Sequence, residues 1–219
     1  MSKEKITDPL APIRFSNTLF YHSQLMVFGF LLKSICRLKV HGALPPDKEA
    51  LIIASNHASL IDPIVLQVAV RRRLVYLMTS DYYFLPFLNT YSRIMRCIPV
   101  MEGRFNRQAL RSALRVLRHG LPLGIFPQGG LRPENDFEAG MRGISLLISQ
   151  SRTRVLPVRI SGTHEAFPRT ARMIRPARIE VRIGRPIQTD ELADPGASPT
   201  RRSHMESLTQ AVMNAIREL

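Results

Sequence analysis

Residues 50–70 read ALIIASNHASLIDPIVLQVAV, and the rest of the chain is interpreted outward from them. The first part, Ala50–Ala54, is a short apolar run rich in β-branched residues, which predicts a buried strand. The last part predicts a helix, with Asp62 as its N-cap and Pro63 at the first helical position. His57 therefore lies on a turn between a strand and a helix. Such turns, at the carboxyl ends of strands, are where α/β proteins usually bind ligands.

His57 and Asp62 form a candidate general-base pair. A carboxylate that holds one ring nitrogen protonated leaves the other nitrogen able to accept a proton. Five residues apart on a straight α-helix, the two side chains would point about 140° apart, so the pair requires the turn. The alternative is structural: Asp62 caps the helix and His57 is an incidental loop residue. A short motif alone does not decide between the two interpretations.

Asn56-His57, followed by four residues and Asp62, resembles the first signature block of the glycerolipid acyltransferases, typified by lysophosphatidate acyltransferase. Other stretches resemble later blocks and connecting segments of that family, in the right order: Cys97–Val100, Gly124–Gly130, Phe137–Gly140, Val155–Val158 and Ser161–His164. The resemblance covers residues 36–187, and the ordered set is far more specific than any one block. It implies an α/β fold of acyltransferase type, a single domain with a mixed central sheet flanked by helices.

The resemblance also implies a reaction, the transfer of an acyl group from a thioester to a hydroxyl of a lysophosphatidate-like glycerolipid. The donor would be acyl-CoA or acyl carrier protein, and no cofactor or metal is expected. His57 would remove the hydroxyl proton during direct attack, while Asp62 orients the ring. Gly129 and Gly130 offer backbone amides to the developing oxyanion. Asn56 is expected to fix the turn.

The chain departs from the family pattern where an arginine commonly grips the phosphate of the acceptor. Glu102 stands at that position, which reverses the charge, and Arg104 and Arg107 are out of register. A phosphate-free acceptor, such as a lyso-aminolipid, a glycolipid or a terpenoid alcohol, is therefore the alternative to lysophosphatidate.

A second departure follows the strand predicted at Leu123–Pro127. Gln128, Gly130 and Leu131 stand where the family usually has Glu, Thr and Arg, and Arg132 comes one residue late. Glutamine keeps the size and an acceptor oxygen of glutamate but not the charge. The residues expected to bind substrate are Asn56, Arg104, Arg107, Gln128, Gly129, Gly130 and Arg132.

The net charge of +14, from 31 Lys and Arg against 17 Asp and Glu, favours anionic partners. These are an anionic membrane surface, an acidic carrier protein or nucleic acid. Nucleic-acid binding is a second hypothesis, but the sequence carries no helix-turn-helix, zinc-knuckle or RNP signature, and nucleic acid is not the expected partner. A third hypothesis, lipid or carrier binding without catalysis, follows from Glu102 and Gln128.

Residues 1–36 are expected to form an amphipathic N-terminal segment ahead of an acyltransferase domain over residues 37–219. Leu25–Leu32 is continuously apolar, but this run is well short of the ~20 residues that cross a bilayer. A helix here is expected to lie in the membrane interface or, alternatively, to pack on the domain.

The start of the chain lacks the apolar core of a signal peptide, since Asp8, Pro9 and Pro12 interrupt it. Cys36 and Cys97 have no spacing typical of a metal site and are interpreted as buried small side chains of a protein in a reducing compartment. The expected location is the cytoplasmic face of the cell membrane, as a peripheral or monotopic protein.

Periodicity predicts the remaining elements. Predicted strands cover residues 37–42, 74–79, 97–100, 123–127, 154–160 and 177–184, the last as a half-exposed edge strand. Predicted helices cover 106–119, 140–149 and 200–219, with a loop at 162–168 and a linker at 194–199. The first of these helices carries a stripe of arginines, either a solvated face or a docking face for an anionic partner: Arg107, Arg111, Arg115 and Arg118.

Overall fold

The buried run before His57 lies in the middle of a seven-stranded sheet. The computed structural model describes residues 8–11, 15–45, 49–101, 106–137, 140, 143–192 and 201–219. The strands are β1 (Lys39–His41), β2 (Ile52–Ser55), β3 (Val75–Thr79), β4 (Ile98–Val100), β5 (Leu123–Ile125), β6 (Val155–Ser161) and β7 (Glu180–Ile183). Their order is β1-β7-β6-β2-β5-β3-β4. β6 and β7 pair antiparallel and the other pairs are parallel, so the predicted mixed sheet is confirmed.

Helices cover both faces of this sheet. They are α1 (Phe15–Ile35), α2 (Asp62–Val70), α3 (Ser80–Tyr83), α4 (Pro86–Ile94), α5 (Arg107–Arg118), α6 (Gly143–Ser151), α7 (Thr163–Ala166), α8 (Thr189–Leu192) and α9 (Arg201–Arg217). In β2, Ile53 faces a core shared with α1 and α2, whereas Ile52 faces a core shared with α5, α6 and α9. Successive side chains of a strand point to opposite faces. A strand covered on both faces therefore needs the unbroken apolar run seen here.

The strand predicted over residues 177–184 is β7, but the prediction that it lies at the sheet edge is wrong. Val181 is opposite Val40 of β1 on one side and Ile160 of β6 on the other. Its alternating pattern arises because one face is solvated: Val181 is buried, whereas Arg182 is exposed. The alternation of apolar and charged residues in β7 therefore indicates that one face of the strand is exposed, and does not indicate an unpaired edge.

Two other boundaries differ from the prediction. The predicted loop at 162–168 contains a single helical turn, α7, and the helix predicted from residue 140 is first described from Gly143. The predicted linker at 194–199 lies outside the described residues. The last helix covers the sheet as expected, with Leu208 and Val212 fully buried.

α1 packs on the sheet layer and also exposes apolar side chains. Tyr21 and Leu32 are buried, and the Tyr21 hydroxyl accepts a 2.8 Å hydrogen bond from Gln67 Nε2 of α2. On the other side of α1, Met26 is 76% and Phe30 72% exposed. The helix is thus apolar on both sides and not amphipathic as predicted. No helix among the described residues is long and apolar enough to span a bilayer. The domain boundary at residues 36 and 37 stays a prediction.

The two cysteines are buried and unpaired, as predicted. Burial raises the pKa of the Cys97 thiol to about 12 and also raises the pKa of Cys36. Because the thiolate is the reactive form, both side chains behave as small apolar residues.

Candidate active site

Asn56 ties the start of the turn to the neighbouring strand. Its side-chain Nδ2 donates to Ile160 O at 2.7 Å, and its Oδ1 accepts from Ile160 N at 2.8 Å. The side-chain amide thereby extends the ladder between β2 and β6 by one more pair of bonds. Asn56 is 1% exposed, so losing this pair would leave buried polar backbone groups without partners.

Asp62 collects three donors on a single carboxylate oxygen. Its Oδ2 lies 2.9 Å from His57 Nδ1 and accepts from the backbone N–H groups of Ala58 and Ser59, each at 2.7 Å. The predicted N-cap role is wrong: Ile61 is the cap residue, and Asp62 is the first residue of α2. The carboxylate instead points back toward residues 57–59, where the Ala58 and Ser59 N–H groups and the His57 imidazole face it.

This arrangement fixes the orientation of the His57 ring. A carboxylate only accepts hydrogen bonds, so Nδ1 must carry the proton and Nε2 is left as an acceptor. The Asp62 side chain is fully buried, whereas 17% of the His57 side chain is exposed. The pair thus has a buried orienting end and an open basic end, as a general base requires.

Two aromatic rings stack on one face of the His57 ring. Phe126 lies against His57 with ring centroids 4.1 Å apart, and Tyr76 continues the stack 6.2 Å beyond Phe126. The Tyr76 hydroxyl donates to Pro63 O at 2.9 Å, and burial raises the pKa of this phenol well above its usual value. Gly124 makes room for the stack, since a Cβ there would lie 2.5 Å from the Tyr76 ring.

Sequence reasoning missed Phe126 and Tyr76 as parts of the site. Both are apolar or aromatic residues on or beside predicted strands, which ordinarily indicates core. The one available signal was Gly124 within a buried strand, since such a glycine often marks a close approach by a neighbour. Tyr76 is its partner in the ladder between β3 and β5.

Gln128 clamps the backbone of His57. Its Oε1 accepts from His57 N at 2.7 Å, and its Nε2 donates to Asp136 O at 2.5 Å. Arg132 N donates to His57 O at 2.9 Å, so the loop over residues 128–136 holds both sides of the His57 peptide. Gln128 is 5% exposed. Its side chain uses one acceptor and one donor, a combination that an ionised glutamate lacks.

The two glycines of this loop differ in what their amides do. Gly129, at φ +70°, donates its N–H to Phe126 O at 3.0 Å, so that amide is occupied within the turn. Gly130 donates to none of the residues that the structure describes. Of the two oxyanion candidates, Gly130 is therefore the one whose N–H has no partner within the described part of the chain.

Of the three predicted substrate-binding arginines, the structure describes Arg107 and Arg132, and only the backbone of Arg132 is hydrogen-bonded to His57. Arg107 is exposed at the start of α5, after Asn106, whose side chain caps the helix by accepting from Ala109 N at 2.7 Å. The side chain of Arg132 is exposed as well. Arg104 and Glu102 lie outside the described residues. Across the described ranges, no group of three or more His, Cys, Asp or Glu side chains is placed to hold a metal ion.

Comparisons with known proteins point to one kind of chemistry. A family model described as Acyltransferase matches residues 37–161. The chain is 29% identical over 129 residues to a 1-acyl-sn-glycerol-3-phosphate acyltransferase of Borreliella burgdorferi, covering 56% of this chain and 50% of that protein. It is 26% identical over 189 residues to a protein of the same name from Cocos nucifera, covering 84% of this chain and 59% of that protein. The chain thus spans about half the length of the curated relatives it matches.

A solved structure is similar in fold. It is the 1-acyl-sn-glycerophosphate (LPA) acyltransferase PlsC from Thermotoga maritima, with a TM-score of 0.70 and 20% sequence identity. The match covers 93% of this chain and 80% of that one. At 20% identity this likeness shows the fold alone, a mixed sheet between helices.

Proposed function

The chain belongs to the acyltransferase family, and we propose that it moves an acyl group from a thioester to a hydroxyl of a lysophosphatidate-like glycerolipid. The observation that carries the proposal is the His57 ring, fixed by Asp62 Oδ2 at 2.9 Å and open at Nε2. The names of the curated relatives support the acceptor class.

In the proposed reaction the acceptor oxygen attacks the thioester carbonyl carbon while Nε2 of His57 takes the hydroxyl proton. The developing imidazolium is stabilised by the Asp62 carboxylate. The oxyanion of the tetrahedral intermediate accepts a hydrogen bond from the Gly130 N–H. Collapse breaks the carbon–sulfur bond, and the imidazolium returns the proton to the leaving thiolate. A general base of this kind contributes about 10²–10⁴-fold to the rate.

The acceptor is the part of the proposal with an alternative. Gln128, where the family usually has glutamate, directs both of its polar atoms to the protein backbone. Leu131 offers no charge for a phosphate. A phosphate-free lyso-lipid, a glycolipid or a terpenoid alcohol therefore stands beside lysophosphatidate as a candidate acceptor.

The donor and the location are proposed from the family and from the surface of the protein. Acyl-CoA and acyl carrier protein are both candidate donors. The exposed apolar side chains of α1 and the net charge of +14 support peripheral association with an anionic membrane, on its cytoplasmic face.

The test is acyl transfer by the purified full chain from a radiolabelled acyl-CoA, and in parallel from acyl carrier protein. The acceptors are lysophosphatidate and monoacylglycerol with the same acyl chain, plus a long-chain terpenoid alcohol. We expect a labelled diacyl product from lysophosphatidate. Product only from an acceptor without phosphate would replace the acceptor class, and no product from any pair would overturn the proposal in favour of a binding protein without catalysis.

A further inference from the structure

The segment between α7 and β7 concentrates positive charge beside the catalytic turn. Residues 167–178 read FPRTARMIRPAR and contain no acidic residue. Four exposed arginines stand at every third position: Arg169, Arg172, Arg175 and Arg178. No hydrogen bond or ion pair joins these four guanidinium groups to the residues that the structure describes. Met173, in their midst, is 76% exposed. We call residues 168–178 the arginine loop.

One end of the arginine loop is tied to the catalytic turn and the other to the residue that follows α1. Phe167 O, just before it, accepts a 2.7 Å hydrogen bond from Ser59 Oγ of the catalytic turn. Arg175 O lies 3.7 Å from the thiol of Cys36, directly after α1, and Ile179 N donates to Cys36 O at 2.9 Å. The loop therefore bridges the His57 turn and the end of α1.

The exposed apolar side chains of α1 lie on the same face of the sheet as the arginine loop, since Leu32 of α1 and Ile174 of the loop belong to one core. Large side chains on α1 are exposed by 56–76%: Leu19, Met26, Val27 and Phe30. Leu60 of the catalytic turn is 42% exposed, and Leu85, between α3 and α4, is 45% exposed. The helices of the opposite face, α5, α6 and α9, carry none of the large apolar residues found exposed in the described chain.

This pairing of charge with apolar side chains selects a bilayer as the partner. Apolar side chains enter the boundary between headgroups and acyl chains, while arginines bind lipid phosphates at the same depth. An acidic protein would satisfy the arginines but would not require exposed Phe, Leu and Met side chains on the same face of the sheet. Among the described residues, α5 itself carries an arginine stripe but no exposed large apolar side chain.

We propose that the arginine loop binds anionic lipid headgroups and holds the mouth of the catalytic turn against the membrane surface. The lipid acceptor would then reach His57 from the bilayer without crossing water. The proposal takes the class of partner from the proposed function, but membrane binding is measured without turnover. A chain that binds vesicles and transfers no acyl group would fail the earlier proposal and pass this one.

The test is co-sedimentation of the purified full chain with two kinds of vesicle, one of phosphatidylcholine alone and one with equal parts of phosphatidylglycerol. The variant Arg169→Ala/Arg172→Ala removes two charges from the arginine loop. The matched control, Arg111→Ala/Arg118→Ala, removes two exposed charges from α5. Circular dichroism and the unfolding midpoint establish that both variants fold.

We expect the loop variant to partition roughly 20–30-fold more weakly onto the anionic vesicles, from about fivefold per arginine. The control should keep most of its binding, and both variants should keep activity on substrates dispersed in detergent. Equal losses in the two variants, or no loss in either, would overturn the proposal. Unchanged vesicle binding together with activity lost only when acyl carrier protein is the donor would overturn it in favour of an acidic protein.

Discussion

The turn over residues 56–62 and the loop over residues 128–136 hold the same histidine in different ways. In the turn, an ionisable carboxylate accepts three hydrogen bonds on Asp62 Oδ2. In the loop, the neutral amide of Gln128 accepts one bond and donates another. The turn keeps the pattern of the family it resembles and the loop departs from it. The residues proposed to move the proton are thus retained, while Gln128, which was expected to bind substrate, is hydrogen-bonded to the protein's own backbone.

Among the substitutions that keep His57, the largest effect should come from removing the charge of Asp62. In Asp62→Asn, the side-chain oxygen can still accept the Ala58 and Ser59 N–H groups, but a neutral amide does not stabilise the imidazolium. We expect kcat to fall by about 10²–10⁴-fold. Steady-state kinetics compare this variant with Asp190→Asn, an exposed aspartate of α8. A similar small change in both variants would contradict the role of Asp62.

A substitution of Gln128 in the loop is expected to cause a smaller loss of activity, and one that depends on pH. In Gln128→Glu, an ionised carboxylate would face the Asp136 carbonyl oxygen with no proton to donate. We expect the activity to fall about tenfold at neutral pH, as one buried bond at 1–3 kcal/mol allows. Protonated glutamate restores the donor, so the ratio of variant to wild-type activity should rise as the pH falls.

The control for this variant is Gln150→Glu, an exposed glutamine of α6. Its ratio to the wild type should stay near one across the same pH range. A constant ratio for Gln128→Glu would show that the amide proton on Nε2 contributes nothing to the site.

The structure of the turn was predicted from the sequence more fully than that of the loop over residues 128–136. The spacing of His57 and Asp62, with an apolar strand before and a helix after, predicted their pairing because all its determinants lie within about 20 residues of chain. Gln128 was expected to bind substrate. Its actual partners, His57 N and Asp136 O, are backbone atoms brought close by the pairing of β2 with β5, which local pattern does not encode.

The fold shows the same division between local and distant determinants. The strand positions followed from periodicity, but helices α3, α4 and α8 were not predicted. The place of β7 in the sheet was not predicted either, since alternation indicates a half-exposed strand and does not show whether both of its edges are paired. The stacking of His57 on Phe126 was not predictable for a similar reason. An aromatic residue after a buried strand is ordinarily core, and only the three-dimensional structure places its ring under an imidazole.

The stack of His57, Phe126 and Tyr76 gives a prediction about stability. In Gly124→Ala, the new Cβ would lie 2.5 Å from the Tyr76 ring, so the stack must shift. Overpacking of this kind should lower the free energy of unfolding by about 1–3 kcal/mol. Thermal denaturation compares it with Gly130→Ala, where a Cβ meets no atom within 4 Å. Equal midpoints for the two variants would contradict the close approach at Gly124.

The smallest effect on activity is expected from Ser59, whose side chain links the turn to Phe167. Ser59→Ala removes the 2.7 Å bond to Phe167 O. A single neutral hydrogen bond contributes about 1 kcal/mol, so the unfolding midpoint should fall by a few degrees with little change in kcat. A loss of activity comparable to that of Gln128→Glu would move Ser59 into the group of residues that position His57.

The measurement that tests the central claim most directly is the rate of acyl transfer by His57→Ala beside wild type and His119→Ala. His119 is an exposed residue directly after α5, with Nδ1 2.8 Å from Arg115 O. We expect His57→Ala to lose about 10²–10⁴-fold in rate or more, at an unchanged unfolding midpoint, while His119→Ala keeps the wild-type rate. A folded His57→Ala protein that transfers acyl groups at the wild-type rate would contradict the assignment of His57 as the general base.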